Sequence, residues 1–205
     1  MDVDLAVLDR RSDRFPEAIA VLARAFWRDP FFEYFSLDPL HEYRTHPGFQ
    51  RAALDAPRTV GTVVAAVDRG TGGILGVAGW VPPDPPGSHR WRAARETALM
   101  VPTFARIRHR RVARAVLAEC ERRHPAAPHR YLAILGVDPA AQGRGVGAAL
   151  LRHGLGWSDA EGVSTYLETQ KADNVAWYAR FGFEERGTID HADAPTLWLL
   201  ERPAR

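Results

Sequence analysis

The chain has almost no lysine and almost no cysteine. Lys171 is the only lysine among 27 basic residues, so arginine supplies the other 26. Cys120 is the only cysteine, which excludes a disulfide framework within the chain. It stands in AVLAEC at helical spacing from Val116 and Leu117 and reads as a core residue. The eight histidines form no HxxxH pair and no Cys/His cluster, so no metal site is expected. No apolar run approaches the roughly 20 residues of a membrane span. The opening MDVDLAVLDR has neither the basic start nor the apolar core of a signal peptide. These absences make a cytoplasmic protein with no membrane partner the expectation. Repeats and low-complexity segments are absent too.

What is present suits one globular domain spanning residues 1–205, with 46% hydrophobic and 25% charged residues. The formal charge of +2 points to no particular partner. One stretch is strongly basic: Arg90, Arg92, Arg95, Arg106, Arg108, Arg110, Arg111 and Arg114. Only Trp91 and Phe104 accompany it as aromatics, so it reads as a solvated helical face, or else as a surface that attracts an anionic ligand. No nucleic acid is expected as a partner.

Periodicity predicts a short strand at Leu5–Leu8, then a helix over Phe15–Trp27 with Ile19, Leu22, Ala23 and Phe26 on one face. A second helical stretch over 31–55 is interrupted near Pro47-Gly48. Thr59–Val67 and Ile74–Val81 form a hairpin around Gly70-Thr71-Gly72-Gly73. Pro82–Ser88 is a loop, and 90–123 is helical with a break at Pro102. Strands then fall at Tyr131–Val137, Val163–Glu168, Phe183–Ile189 and Thr196–Glu201. Helices fall between them at Gly145–Asp159 and Asn174–Phe181. This order is α/β or α+β, one domain with a mixed sheet.

The most informative segment is LAILGVDPAAQGRGVG, residues 132–147. A buried strand ends at Val137, Asp138-Pro139 turns the chain, and glycines at 143, 145 and 147 lead into a helix. Missing Cβ atoms let an anion approach the backbone, where the first N–H groups of the helix lack internal partners and its dipole is positive. A diphosphate suits such a place, with Arg144 beside it. A phosphate-binding loop of the Walker type is excluded, because Ala148-Ala149 stand where Lys-Ser/Thr would be. A dinucleotide fold, with Glu168 as the ribose-binding acid, fits less well. The spacing is GxGxG rather than GxGxxG, five residues separate strand from glycine, and only 37 residues follow Glu168. That reading and a purely structural turn remain open alternatives.

Gln142-Gly-Arg-Gly-Val-Gly147 resembles the Q/R-x-x-G-x-G/A signature of the GNAT superfamily of N-acetyltransferases, with LGVDP before it and AALL after. A second signature of that family, Asn174, Tyr178, Gly182 and Phe183 in NVAWYARFGF, stands downstream. LARAF followed by DP, VAGWVPP, YLET and TLWLLERP are similar to the puromycin N-acetyltransferase branch.

The resemblance implies a single domain, a mixed, mostly antiparallel sheet flanked by helices, and two central parallel strands that splay apart. It implies acetyl-CoA as co-substrate and a small-molecule amine as acceptor. The pantetheine arm would lie against Leu135, Gly136 and Val137, with Gly136 allowing a local irregularity. The diphosphate would rest on Gln142, Gly143, Arg144, Gly145, Val146, Gly147 and Ala148, and Asn174 would hold the arm. Tyr178 is the candidate acid for the leaving sulfur and also lines the cofactor site. Its bland alternative is packing against Trp177 or Phe181. Glu168, at the end of its strand, is the candidate base, directly or through water; alternatively it is a solvated strand-end carboxylate. Val137 N–H is a candidate oxyanion donor. Trp27, Phe31, Tyr34, Trp80 and Glu168 are the candidate acceptor wall, although aromatics at helical spacing are more often core. The protein would be a monomer or homodimer. Alternative functions are acetylation of a protein N-terminus or lysine, and a non-catalytic CoA-binding module.

Overall fold

The structure, a computed structural model, describes residues 2–83, 107–191 and 194–205. The chain opens with β1 (Val3–Leu8), followed by four helices: α1 (Phe15–Ala25), α2 (Pro30–Phe35), α3 (Pro39–Ala53) and α4 (Asp55–Thr59). The hairpin β2 (Thr62–Asp68) and β3 (Ile74–Val81) comes next, then α5 (Arg110–Arg123) and β4 (His129–Val137). A 3-10 turn at Pro139–Ala141 leads to α6 (Val146–Glu161), β5 (Ser164–Thr169), α7 (Ala172–Ala179), β6 (Glu184–Ile189) and β7 (Leu197–Arg202). The break expected at Pro102, most of the loop expected at 82–88, and Arg90, Arg92, Arg95 and Arg106 lie outside the described residues.

The helical stretch expected over 31–55 is three helices, and their boundaries differ from the expected break. Asp29 and Asp38 cap α2 and α3 by accepting the N–H groups of Phe31 and His41. α3 runs through Pro47 without stopping. A proline inside a helix removes one hydrogen bond, but Glu42, His46, Phe49 and Gln50 bury the inner face of α3. Packing of that face overrides the local breaker.

The seven strands lie in the order β1-β2-β3-β4-β5-β7-β6. All neighbours are antiparallel except β4 and β5, which pair only at His129–Ser164, Arg130–Thr165 and Tyr131–Tyr166. Beyond Tyr131 the two strands separate. At the same point β4 carries an extra residue against β3: Trp80 faces Leu132 and Gly79 faces Ile134, leaving Ala133 unmatched. The irregularity assigned to Gly136 from sequence therefore sits at Ala133. A bulge inverts side-chain alternation. Leu132 packs in the core beneath α6 with Leu150, Leu151 and Leu167, whereas Ile134 packs on the opposite face with Val21 and Leu22 of α1. Gly136 has a different task. A Cβ there would lie 2.7 Å from Leu22 Cδ2 and 3.1 Å from Ala25 Cβ, so its absence lets α1 seat on β4.

Trp80 is fully buried and fills the space over Gly154 of α6, where a Cβ would overlap its ring. Gly154→Ala is expected to destabilise the fold by about 1–3 kcal/mol in urea unfolding, despite the better helix former, because the added methyl overpacks the ring. At Gly156, two residues on, a Cβ would meet nothing within 4 Å. Gly156→Ala is expected to stabilise by up to about 1 kcal/mol.

His46 on α3 and His129 on β4 are buried, and burial pushes both below the ordinary value of 6.5; for His46 it outweighs the nearby Glu42 carboxylate. Folding thus favours their neutral forms. That stabilisation is complete above the unfolded value of 6.5 and is lost as pH falls through it toward the folded values. The urea midpoint should fall as pH drops below about 6.5, before carboxylates titrate. A midpoint that stays level down to about pH 5 would refute this assignment.

Candidate active site

The end of β4 and the start of α6 are tied together locally. Asp138 accepts from Ala140 N–H at 3.0 Å and closes the 3-10 turn, while Arg24 of α1 donates to its Oδ2 at 2.7 Å. Gln142 Nε2 donates to the Val137 carbonyl at 3.1 Å, fastening the loop to the strand. Gly143 and Gly145 take φ of +73° and +82°, a left-handed conformation that costs a residue with a Cβ. Gly145 is the N-cap of α6, and its carbonyl receives the first helical bond from Ala149 N–H at 3.0 Å. The N–H groups of Val146, Gly147 and Ala148 precede that bond, so they have no partner inside the helix. A Cβ at Gly147 would stand 3.7 Å from the Trp177 ring, in the space between α6 and α7.

These amides open into a cleft of about 640 Å³. Its walls come from both faces of the sheet: Phe26 and Asp29 follow α1, Leu135, Gly136 and Val137 belong to β4, and Asn174, Trp177 and Tyr178 belong to α7. The cleft therefore passes through the gap between β4 and β5. Gln142, Gly143, Gly145, Val146, Gly147 and Ala148 line the end beside the start of α6, and Lys171 and Arg180 also line the cleft. Arg144 is exposed and is not part of that wall. Its guanidinium charge acts instead on Asp68, whose carboxyl is lowered chiefly by hydrogen bonds from Thr71.

Tyr178 lies within the cleft wall, with its ring edge-on to Trp177 at 4.8 Å and Phe183 at 5.4 Å. Burial pushes its phenol well above the ordinary value of 10, so it keeps its proton through the neutral range. Asn174 Nδ2 donates to Thr169 Oγ1 at 2.9 Å. Glu168 stands two residues past the last β4–β5 pair, on the same strand face as Tyr166. Tyr131 Oη donates to its Oε2 at 2.8 Å. Glu168 does not line the cleft itself.

None of the expected acceptor wall, Trp27, Phe31, Tyr34, Trp80 and Glu168, lines this cleft. Trp80 belongs to the core under α6 and packs edge-on to Trp157, so it is not an acceptor residue. Regular alternation along β3 puts it on the α6 face with Gly76 and Ala78, and the glycine at 154 leaves room for its ring. Tyr34 stacks on His109 at 4.5 Å, and Trp27 packs edge-on to Tyr43 and His46 while 40% exposed. Phe31 packs against Phe35 at 4.8 Å and contacts the cluster containing Tyr166. Eight residues of the cleft lie outside the site set expected from sequence, among them Trp177 and Asp29. Trp177 neighbours Tyr178 in the family signature but is no part of it. Asp29 carries the mark of a helix stop, yet it is 1% exposed and lines the cleft, where Lys171 Nζ approaches at 3.1 Å and Gln170 Nε2 donates at 3.1 Å. Its Asp-Pro signal identifies the cap and says nothing of the burial.

Comparison with known proteins fits this architecture. The family model for Acetyltransferase (GNAT) family matches residues 19–183. Mycothiol acetyltransferase of Saccharomonospora viridis is 42% identical over 72 residues, 30% of this chain and 23% of that protein. That of Rhodococcus erythropolis is 40% identical over 67 residues, 31% of this chain and 22% of that protein. The chain thus spans less than a quarter of the length of these curated relatives. Among solved structures, "histone acetyltransferase HPA2 and related acetyltransferase" of Corynebacterium glutamicum superposes with a TM-score of 0.73 at 26% identity, covering 100% of this chain and 98% of that one. The match extends through the glycine loop, the splayed strands and the Asn174–Tyr178 helix, and the chain belongs to the GNAT family of acetyltransferases, which use acetyl-CoA as co-substrate.

Proposed function

We propose that the chain moves an acetyl group from acetyl-CoA to the primary amine of a small molecule, by direct attack in a ternary complex. The observation that carries this reading is the cleft that runs from the glycine-capped start of α6 through the gap between β4 and β5. The residues present fit a pantetheine diphosphate: unpartnered amides at one end, an unpaired strand edge along the middle, and a protonated phenol in the wall. In this reading the amides of residues 143–148 hold the diphosphate. Leu135, Gly136 and Val137 offer the edge along which the arm lies as an added strand, and Asn174 steadies it from α7.

The donor supplies an acyl thioester. The chain's own groups then have three tasks. Glu168 accepts the proton that an alkylammonium must lose before its nitrogen can attack. Val137 N–H donates to the oxygen that gains negative charge. Tyr178 meets the departing sulfur with a hydroxyl that burial keeps protonated. A donor arm reaching through the splay brings its thioester between Tyr178, on the α7 side, and the side carrying Glu168. The likeness of LARAF, VAGWVPP and the terminal strand to the puromycin N-acetyltransferase branch supports a small acceptor. The curated relatives, matched over a short segment, are named mycothiol acetyltransferase.

Acetyl-CoA in the millimolar range should raise the melting temperature, and the absence of any shift rules out the donor site. Tyr178→Phe should lower kcat by on the order of 10²-fold while leaving the CoA-induced shift in place. An unchanged kcat removes Tyr178 as the acid. A panel of small amines and peptides, read by CoA release, decides the acceptor: activity on peptides alone replaces the small-molecule reading, and binding without release on either class makes the chain a CoA-binding module.

A further inference from the structure

Lys171 is the chain's only lysine, and it stands in the wall of the cleft. Its backbone is fixed as the N-cap of α7, where its carbonyl accepts from Asn174 N–H at 3.0 Å. Lys171, Asn174 and Tyr178 follow at i, i+3 and i+7, so they share one face of the helix, and all three line the cleft. Lys171 and Tyr178 are about 10 Å apart along the helix axis.

The far end of the side chain is fixed as well. Nζ lies 3.1 Å from Oδ2 of Asp29, which reaches the cleft from beyond α1. Asp29 is itself held in place. It is 1% exposed, and its Oδ1 accepts from Phe31 N–H and from Gln170 Nε2, each at 3.1 Å. The Lys171 side chain nevertheless stays 39% exposed, so the tether leaves it open to a reactant in the cleft.

Among the described residues that line the cleft, no other side chain carries an amine, a thiol or an aliphatic hydroxyl. Arg180 offers a guanidinium, which does not give up its proton. Tyr178 keeps its phenol proton because burial pushes it up. A lysine ammonium can lose a proton, and the nitrogen that remains is a strong nucleophile.

We propose that Lys171 is a self-acetylation site: with acetyl-CoA in the cleft and no acceptor amine beside it, Nζ of Lys171 takes the acetyl group. This rests on the cleft being the donor site. Asp29 accepts one proton from the ammonium, which leaves a lone pair on Nζ. A bond forms between Nζ and the acyl carbon, and the carbon–sulfur bond breaks with its electron pair on sulfur. Tyr178 protonates that sulfur, and the second proton of Nζ passes to solvent in the cleft, which restores the phenol. Asp29 returns its proton to solvent. In sum, one ammonium and one thioester give one amide, one thiol and one released proton. The amide is uncharged, so the buried carboxylate of Asp29 loses the Lys171 cation beside it. The modification thereby changes the wall of the cleft, in protein that has met the donor without an acceptor.

Two measurements test this, and neither needs the acceptor to be known. The first reads position rather than turnover. The protein is labelled briefly with deuterated acetic anhydride, with and without S-methyl-CoA, which has no acyl group to give, and its peptides are mapped by mass. Saturating S-methyl-CoA should cause a several-fold loss of label at Lys171. The second reads transfer. With acetyl-CoA and no added amine, the protein should gain one acetyl group at Lys171, at a rate independent of protein concentration. That rate should exceed the rate in the urea-unfolded chain by at least about 10-fold, because the tether replaces a bimolecular encounter. Asp29→Asn keeps the cap of α2, since asparagine also accepts there, and should slow the transfer by about 10-fold or more. A melting shift with S-methyl-CoA but no protection of Lys171 overturns the proposal. So does a folded protein that acetylates Lys171 no faster than the unfolded chain, or a rate that rises with protein concentration. An unchanged rate in Asp29→Asn overturns the step as written. Neither melting shift nor protection defeats instead the donor site on which the proposal rests.

Discussion

Two parallel strands at the centre of the sheet stop pairing after Tyr131 and Tyr166. An interior strand edge without a partner is costly, because backbone N–H and C=O groups need hydrogen bonds from somewhere. Here the gap is kept open from several sides. The bulge at Ala133 re-aims β4 as it leaves β5. Gly136 lets α1 press against the strand, and Gln142 fastens the loop at its end. β7 meanwhile holds β5 along its other edge, from Thr165–Arg202 to Thr169–Trp198. The cleft follows directly from this arrangement, and in the proposed reaction a pantetheine arm makes the bonds that the strands do not make with each other.

The same interruption sorts the chemical groups by face. Leu167 points into the core beneath α6, and its neighbours Tyr166 and Glu168 point the other way. Tyr178 packs with the α6 core, so a phenol and a carboxylate approach the gap from opposite sides. Asp29 enters from the end of α1, buried and held by Gln170 and Lys171 just beyond β5.

Much of this is legible in the residues. GxGxG after a buried strand predicts an anion site by local geometry alone, since left-handed glycines and a helix start need no distant partner. The Asn174–Tyr178 spacing puts both side chains on one helix face, and both line the cleft. The element order is legible among the described residues as well, except that the stretch expected over 31–55 is three helices and α3 continues through Pro47. Less local features are not. Trp80 looks like a pocket aromatic because its strand leads to the gap, but a glycine 74 positions away makes the room that lets its ring fill the core beneath α6. Asp29 carries the sequence mark of a helix cap, and its burial depends on Gln170 and Lys171, far along the chain.

By itself, then, the sequence determined the glycine loop that starts α6, the helix that faces it and the alternation of strands and helices, because each depends on backbone conformation or on spacings of a few residues. Tertiary structure alone decided where β4 parts from β5, which aromatics became core, and that Glu168 meets Tyr131, His124 and, through it, His129. Those contacts join the end of α5 to β4 and β5, and no spacing along the chain encodes them.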